Sequence, residues 1–241
     1  MQPDLNSPSL SGMLVALVII VLWVSSLAFL LLMDADQLPL PWILLAILGR
    51  TYIQTGLFIV VHDAIHGAVL PRNRRCNNGI GQLCLTLYAL LSYKKLFRNH
   101  WQHHRHPGQR NDPDFHDGNH RHIALWYWKF MQEYLDAKER TVLLFKIIII
   151  FLIFKFGFHI PTISLFLFWF LPIVLSSMQL FFFGTYLPHR SENLENSHHA
   201  VSSNYPLILS FLTCYHFGYH WEHHEYPNLP WYKLPSVRQV Q

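Results

Sequence analysis

The chain has few charged residues and little cysteine. Only 13% of its 241 residues are charged, whereas 51% are hydrophobic. Soluble globular domains carry about 25% charged residues, so this composition favours a membrane protein. The three cysteines, Cys76, Cys84 and Cys214, form no CxxC pair, which argues against a thiolate metal site. We interpret them as reduced, small apolar residues.

Two further kinds of motif are missing. The sequence contains no glycine fingerprint for a flavin or nicotinamide cofactor, so any redox reaction must take its electrons from another protein. It also contains no motif that reads a nucleic-acid groove, although its net charge is +4. Because the cations are spread along segments that flank apolar runs, we expect them to meet anionic lipid and an acidic protein partner rather than nucleic acid.

Long apolar runs predict an all-α integral membrane protein that forms a single domain over residues 1–241. Residues 13–33 are uncharged and long enough to cross a hydrocarbon core of about 30 Å. The leader before this run has no Lys or Arg, which argues against a signal peptide. Together with three further apolar stretches, this run predicts four transmembrane helices, at residues 13–33, 41–61, 141–158 and 163–186.

The distribution of cations predicts the orientation. Twelve of the 18 Lys and Arg residues fall within residues 62–140 and three follow residue 186, whereas the short segment 34–40 carries only Asp34 and Asp36. Cytoplasmic segments are enriched in Lys and Arg. We therefore expect residues 62–140 and 187–241, and both termini, on the cytoplasmic side of a multi-pass protein.

Three histidine clusters fall in these cytoplasmic segments. They are HDAIH at residues 62–66, HWQHH at 100–104 and HWEHH at 220–224. An HxxHH pattern would occur by chance roughly 0.1 times in a chain of this composition, and it occurs twice. Histidines three or four positions apart share one face of a helix. The clusters therefore predict a metal centre in a histidine-rich cap at the membrane surface.

The ligand type and number restrict the metals. Imidazole suits iron, copper, zinc and nickel, whereas magnesium and calcium require oxygen ligands. The eight clustered histidines exceed what one ion needs, and a structural zinc would be closed by four of them. Two ions with about four imidazoles each would keep open coordination positions, as O2 chemistry requires. The predicted ligands are His62, His66, His100, His103, His104, His220, His223 and His224.

The clusters resemble the histidine boxes of the membrane fatty acid desaturase and hydroxylase superfamily, which hold two iron ions. More specifically, HDAIHG at 62–67, NHWQHHRHPGQRNDPDFH at 99–116, FGTYLPHR at 183–190 and CYHFGYHWEHHEYPNLPWYKLP at 214–235 are similar to bacterial-type β-carotene ketolases. The first box of acyl-lipid desaturases is usually HxxxxH, whereas this one is HxxxH. That departure counts against fatty acid desaturation.

The resemblance also implies further ligands. Superfamily members often recruit another histidine from a segment before the last box, and His189 fits that position as a ninth ligand. His216, four residues before His220, is a weaker candidate, and His106 is weaker still. Metal-bound imidazoles usually donate their other N–H group to a carboxylate or carbonyl. The carboxylates expected to take part in this way are Asp63, Asp112, Asp114, Asp117 and Glu222, although residues 112–114 could simply form a turn.

The resemblance implies an enzyme that uses two ferrous ions and O2 to convert β-carotene through echinenone to canthaxanthin, with ferredoxin as the electron donor. The nearest alternatives are a carotenoid 3-hydroxylase and a membrane fatty acid desaturase. A histidine-rich metal transporter is the non-enzymatic alternative. Transporters place ionisable ligands within their spans, whereas the apolar runs here contain few polar residues other than Arg50, Gln54 and Gln179.

Overall fold

A computed structural model describes residues 10–116, 118, 121–191 and 196–238, so Asp117 and His120 lie outside the described residues. Every regular element in this part of the chain is helical. Short 3-10 turns occupy Ala35–Gln37 and Trp231–Val237. The helices are α1 (Ser11–Leu32), α2 (Leu40–His66), α3 (Arg74–Ala89), α4 (Tyr93–Arg105), α5 (Ile123–Tyr134), α6 (Ala137–Leu152), α7 (Thr162–His189), α8 (Leu207–Cys214) and α9 (His220–Glu225).

Three of these helices, α1, α2 and α7, are long and apolar enough to cross a membrane. Their mean hydropathies are 2.9, 1.7 and 2.0, and they lie at three of the four predicted spans. The fourth predicted span, residues 141–158, falls on α6 and on the π-helical turn Ile153–Gly157 that continues it. Helix α6 is not one of the three helices that are long and apolar enough to cross a membrane. The predicted all-helical architecture is thus confirmed for the described residues, and three of the predicted spans coincide with helices that are apolar enough to cross a membrane.

Hydrogen bonds fix the direction in which α2 and α7 run. Near the start of both helices, Arg50 Nε donates to the carbonyl oxygen of Phe168 at 3.2 Å. Further along, Thr55 Oγ1 donates to Gln179 Oε1 at 2.6 Å. The residue numbers of the contacts increase in the same direction along α2 and α7, so the two helices are parallel. Their last residues, His66 and His189, therefore lie at the same end of the bundle.

The buried Arg50 joins three helices. The sequence left open whether this arginine reaches the membrane surface or faces a substrate channel. Its guanidinium donates to the carbonyl oxygen of Trp23 (2.9 Å) and to Ser26 Oγ (2.8 Å) on α1, in addition to Phe168 on α7. Only 1% of Arg50 is exposed. A buried donor is stabilised when such acceptors replace water, so this arginine holds α1, α2 and α7 together.

The end of α2 is tied to the cap beyond it. Gly67 terminates α2 with a φ of 80°, a left-handed conformation that glycine adopts without a Cβ clash. Asn77 on α3 then donates through Nδ2 to the carbonyl oxygen of Ala64 at 2.6 Å. Its Oδ1 accepts from the amide of Leu70 at 3.1 Å. These bonds pack α3 against the last turns of α2, where the first histidines lie.

Candidate metal centre

Four helices bring nine buried or half-buried imidazoles together. His62 and His66 lie one turn apart near the end of α2, and His189 is the last residue of α7. Helix α4 contributes His100, His103 and His104, and α9 contributes His220, His223 and His224. Because each helix presents residues three or four positions apart on one face, each set turns toward the same interior point. This is the set of nine that the sequence predicts.

The imidazoles form two groups of four. The first tetrad is His62, His66, His100 and His223, and the second tetrad is His103, His189, His220 and His224. Within each tetrad, one nitrogen from every ring lies within 4.8 Å of the others, and all eight residues are buried. Each tetrad draws its ligands from three helices. The sequence predicted two ions with about four imidazoles each, and the geometry has that arrangement.

His104 borders both tetrads. Its Nε2 lies 3.1 Å from Nε2 of His100 and 2.9 Å from Nε2 of His223 in the first tetrad. Its ring also stacks on His224 of the second tetrad, with ring centroids 4.2 Å apart and an interplanar angle of 23°. His104 is therefore an additional potential ligand at the boundary between the two tetrads.

The ring nitrogens lie close enough together to share metal ions. Nε2 of His66 and Nε2 of His100 are 2.7 Å apart, and Nε2 of His103 and Nε2 of His224 are 3.0 Å apart. Adjacent imidazoles on one ion, with bonds of about 2.1 Å, are separated by about 3 Å. Several other ring nitrogens are buried without any hydrogen-bond partner, including both of His62. Buried polar atoms normally have a partner, and an ion would supply one for Nε2 of His189 in the second tetrad and for one nitrogen of His62 in the first.

His189 shows the ligand arrangement most clearly. Its Nδ1 donates to the backbone carbonyl oxygen of His199 at 2.7 Å. Because Nδ1 carries the proton, the lone pair is on Nε2, and Nε2 is buried without a partner. This is the usual tautomer of a metal-bound imidazole, whose remote nitrogen donates to a carbonyl or carboxylate. The predicted role of His189 as a ninth ligand agrees with this geometry.

Asp112 supports His103 in the same way. The Nδ1 atom of His103 lies 3.0 Å from both carboxylate oxygens of Asp112. Burial lowers the pKa of His103, but the charges of Asp112 and Asp114 and the hydrogen bond to Asp112 outweigh this effect and raise the pKa to about 9. The carboxylate therefore favours positive charge at this imidazole, which is what a bound cation provides.

Four imidazoles of the tetrads have lowered pKa values. Burial lowers the pKa of His100, His220, His223 and His224 well below its usual value. Charge on neighbouring imidazoles lowers it further, because two cations at short range repel each other. Neutral imidazole is the form that coordinates a metal, so these four rings are in the ligand form at neutral pH.

The remaining predicted carboxylates lie around the tetrads. Asp63 Oδ1 is 3.8 Å from Nδ1 of His62, and its Oδ2 accepts from the amide of Trp231 at 3.2 Å. Glu222 accepts a hydrogen bond from Ser202 Oγ. Asp114 accepts from the hydroxyl of Tyr134 at 2.5 Å, and burial raises the pKa of Asp114. The catalytic roles predicted for these carboxylates stay predictions.

His216 lies outside both tetrads. Its Nδ1 is 3.1 Å from Ser210 Oγ, and its ring stacks on Tyr219 with centroids 5.4 Å apart. The backbone at His216 has a φ of 60°, so the chain turns between α8 and α9 instead of continuing as one helix. The predicted helical face shared by His216 and His220 is therefore absent, and a ligand role for His216 stays an untested prediction.

An apolar cavity reaches the tetrads. This metal cavity has a volume of about 90 Å³, which is smaller than the roughly 300–1,000 Å³ that is typical of ligand sites. His62 and His100 of the first tetrad and His220 of the second contribute to its wall. Most of the remaining wall is apolar, including Phe58, Ile65, Leu96, Phe130, Leu180 and Phe217. The wall therefore favours a small apolar group beside the imidazoles.

A second space, the membrane groove, adjoins the metal cavity. Its volume is about 750 Å³, and it lies between α1, α3, α5, α6 and α7. Five residues line both spaces, and we call them the neck: Tyr88, Leu91, Met131, Leu135 and Ser177. The groove also includes exposed residues of the spans, such as Val24, Ala28 and Phe170. Two adjoining spaces with largely apolar walls thus lie between the spans and the tetrads.

Comparisons with known proteins agree with this site. The family model described as fatty acid desaturase matches residues 37–240, a range that includes both tetrads. The chain belongs to the fatty acid desaturase family. No solved structure matches the chain.

Individual relatives confirm the resemblance based on the histidine strings. The chain is 40% identical to a beta-carotene ketolase of Paracoccus sp. (strain PC1), across 99% of this chain and 97% of the relative. It is 43% identical to a beta-carotene ketolase of Paracoccus sp. (strain N81106 / MBIC 01143), across 79% of this chain and 77% of that protein. A zeaxanthin 4-ketolase of Chlamydomonas reinhardtii is 38% identical across 96% of this chain, which spans about half of that relative's length (54%).

The sequence did not indicate two contributors to the site. Tyr134 donates to Asp114 and lines the metal cavity, yet it is a lone tyrosine in an aromatic segment and has no motif around it. The backbone carbonyl of His199 orients His189, and a carbonyl oxygen leaves no signal in a sequence. Both become visible only when the loops after α4 and α7 are placed.

Proposed function

We propose that this protein is a di-iron oxygenase that introduces keto groups at C4 and C4′ of β-ionone rings and thereby converts β-carotene through echinenone to canthaxanthin. The observation that carries the proposal is the pair of imidazole tetrads beside an apolar cavity that adjoins a groove between the spans. Relatives named ketolases support the choice of substrate and product.

Two irons held by the tetrads, with His104 at their boundary, would supply O2 activation. Each oxidation consumes one O2, two electrons and two protons, converts a C–H bond into C–OH, and releases one water. The C4–H bond is allylic and therefore weak. A second oxidation at the same carbon gives a geminal diol, which loses water to leave the ketone.

The protein's own residues place and shield the ring. The walls of the metal cavity are largely apolar, so they exclude water and favour a hydrocarbon ring. His62 and His100 line this cavity, so a ring bound there lies beside the first tetrad. Selectivity for C4 over C3 then depends on which carbon the cavity wall brings closer to the metal.

The electrons come from a ferredoxin-type donor in this proposal. Such donors are acidic, and the cap presents exposed cations on α3, on α4 and in the turn before α3, among them Arg72, Arg75, Lys94 and Arg98. Complementary charge speeds encounter between an acidic donor and this face. The same cations suit anionic lipid headgroups at the membrane surface.

We also propose that α6 and its π turn form the fourth crossing. Helices α2 and α7 are parallel and end at the tetrads, so the chain between them must return to the opposite end of the bundle. Helix α6 and its π turn comprise 21 residues (16 and 5), about 30 Å of helix. Exposed apolar side chains such as Leu144, Phe145 and Ile148 suit contact with lipid. Four crossings would place the tetrads and both termini on the cytoplasmic side, in agreement with the cation distribution.

Cysteine labelling can test this orientation. Cys76 is exposed, whereas Cys84 and Cys214 are buried, so an impermeant maleimide should label the unaltered protein at Cys76 from the cytoplasmic side only. In a Cys76→Ser background, Gln37→Cys should be labelled from the opposite side, and Arg110→Cys should be labelled from the same side as Cys76. Labelling of positions 37 and 110 from one side would overturn the proposed topology.

Pigment analysis tests the reaction itself. Expression in cells that accumulate β-carotene and supply a ferredoxin should yield echinenone and canthaxanthin, and the colour should shift from yellow-orange toward red because each carbonyl extends the conjugated system. Accumulation of zeaxanthin without ketones would favour the 3-hydroxylase alternative. Unchanged β-carotene together with new acyl double bonds would favour the desaturase, and metal uptake without any oxidised lipid would favour the transporter.

A further inference from the structure

The wall of the metal cavity contains one carboxylate among its described residues, that of Asp114. This side chain is 8% exposed. Its Oδ1 accepts from the hydroxyl of Tyr134 at 2.5 Å, whereas no residue that the structure describes donates to its Oδ2. A carboxylate has room for about four hydrogen bonds. Asp114 therefore offers a free acceptor inside a largely apolar space.

The backbone around Asp114 is fixed relative to the second tetrad. The amide of Asp114 donates to Oδ1 of Asp112 at 2.8 Å, and Asp112 also holds Nδ1 of His103. On the other side, Trp126 Nε1 donates to the carbonyl oxygen of Asp114 at 2.8 Å. The free acceptor is thus held in a set position near the metal centre, as a precise binding contact requires.

Ketone formation creates a need for such an acceptor. The reaction requires two oxidations at the same carbon, so the alcohol formed first has to remain beside the metals or return to them. An alcohol differs from the parent ring by one hydroxyl group, which is unfavourable in an apolar cavity unless it is hydrogen-bonded. A cavity without an acceptor would release the alcohol into the bilayer more readily than the hydrocarbon.

We propose that Asp114 accepts a hydrogen bond from the C4 hydroxyl of the half-oxidised ring and so retains the alcohol until the second oxidation. This inference rests on the proposed ketolase function. Tyr134 holds one carboxylate oxygen and leaves the other for the substrate. The nearby hydroxyls of Ser177 and Tyr127 are 2.6 Å apart and already paired with each other, so they are less suited to this role.

The experiment compares Asp114→Asn and Asp114→Ala with the unaltered protein in β-carotene-accumulating cells. Loss of the acceptor in Asp114→Ala should raise the ratio of 4-hydroxylated to 4-keto carotenoids by about tenfold. A factor of ten corresponds to about 1.4 kcal/mol. That free energy is near the lower end of what a hydrogen bond to a charged group contributes. Asp114→Asn keeps one acceptor oxygen, so its ratio should lie in between. Glu133→Gln is the matched control, because Glu133 is an exposed carboxylate on the neighbouring α5, and its ratio should not change.

A binding measurement keeps the proposal testable if a variant is inactive. Quenching of tryptophan fluorescence by carotenoid delivered from phosphatidylcholine vesicles gives the affinity for 4-hydroxy-β-carotene relative to β-carotene. Asp114→Ala should lose about tenfold of this preference. Unchanged product and affinity ratios in both Asp114 variants, with an unaltered protein that forms ketones, would overturn the role of Asp114. Absence of ketones with the unaltered protein would instead refute the proposed function.

Discussion

His189→Ala should reduce the iron content from about two ions per chain to about one and should abolish ketone formation. Nε2 of His189 is buried, lacks a partner and lies in the second tetrad, so its removal leaves that ion with three protein ligands. Loss of a residue that only orients a ligand already lowers metal affinity or activity by about 10- to 100-fold, and loss of a ligand should have a larger effect. Metal analysis of the purified protein and pigment analysis of the same cells measure both consequences.

His216→Ala is the matched control for this prediction. It removes another buried imidazole, but one that lies outside both tetrads and contacts Ser210 and Tyr219. We expect this variant to retain two irons and to form ketones. If His189→Ala still held two irons, His189 would not be a ligand. If His216→Ala lost one iron, His216 would be a ligand, as the sequence suggested more weakly.

Most of the imidazoles that the fold brings together could be predicted from the sequence because the histidines of each box follow helical spacing. Each box repeats histidine at intervals of three or four residues, so the shared face of its helix is readable without a structure. The grouping of these ligands was not readable. Neighbouring histidines of one box belong to different tetrads, as His100 and His103 do. That division depends on how α4 is rotated relative to α2 and α9, and packing between distant segments sets the rotation.

The spans illustrate a similar limit. The sequence identified α1 because no charged residue interrupts its apolar run. It did not explain why Arg50 lies in the second apolar run. Its three acceptors come from residues 23, 26 and 168, so only the assembled bundle shows why a cation is stable there. The Asp114–Tyr134 pair likewise joins a loop and a helix 20 residues apart. Such contacts have no local pattern, because any residue brought close by the fold could make them.

Ser177→Trp should block nearly all conversion of β-carotene while it leaves both irons in place. Ser177 lines the neck between the membrane groove and the metal cavity. A C40 hydrocarbon dissolves in the bilayer, so a ring that reaches the tetrads along this path has to pass the neck. An indole at position 177 would fill space that is now open, and close-packed surroundings adjust little to added bulk. The tetrads are formed by other residues, so their metal content should not depend on the neck.

Two variants separate the blocked path from other effects of the substitution. Ser177→Ala removes the hydroxyl that pairs with Tyr127 at 2.6 Å but leaves the neck open, so it should retain conversion. Met178→Trp places the same indole on the adjacent, lipid-facing position, which is 48% exposed, and it should also retain conversion. If Ser177→Trp held two irons and still formed canthaxanthin at the unaltered rate, the ring would have to enter by another route. A loss of iron in Ser177→Trp would show instead that the neck supports the tetrads, because the added indole would then have displaced the helices that carry them.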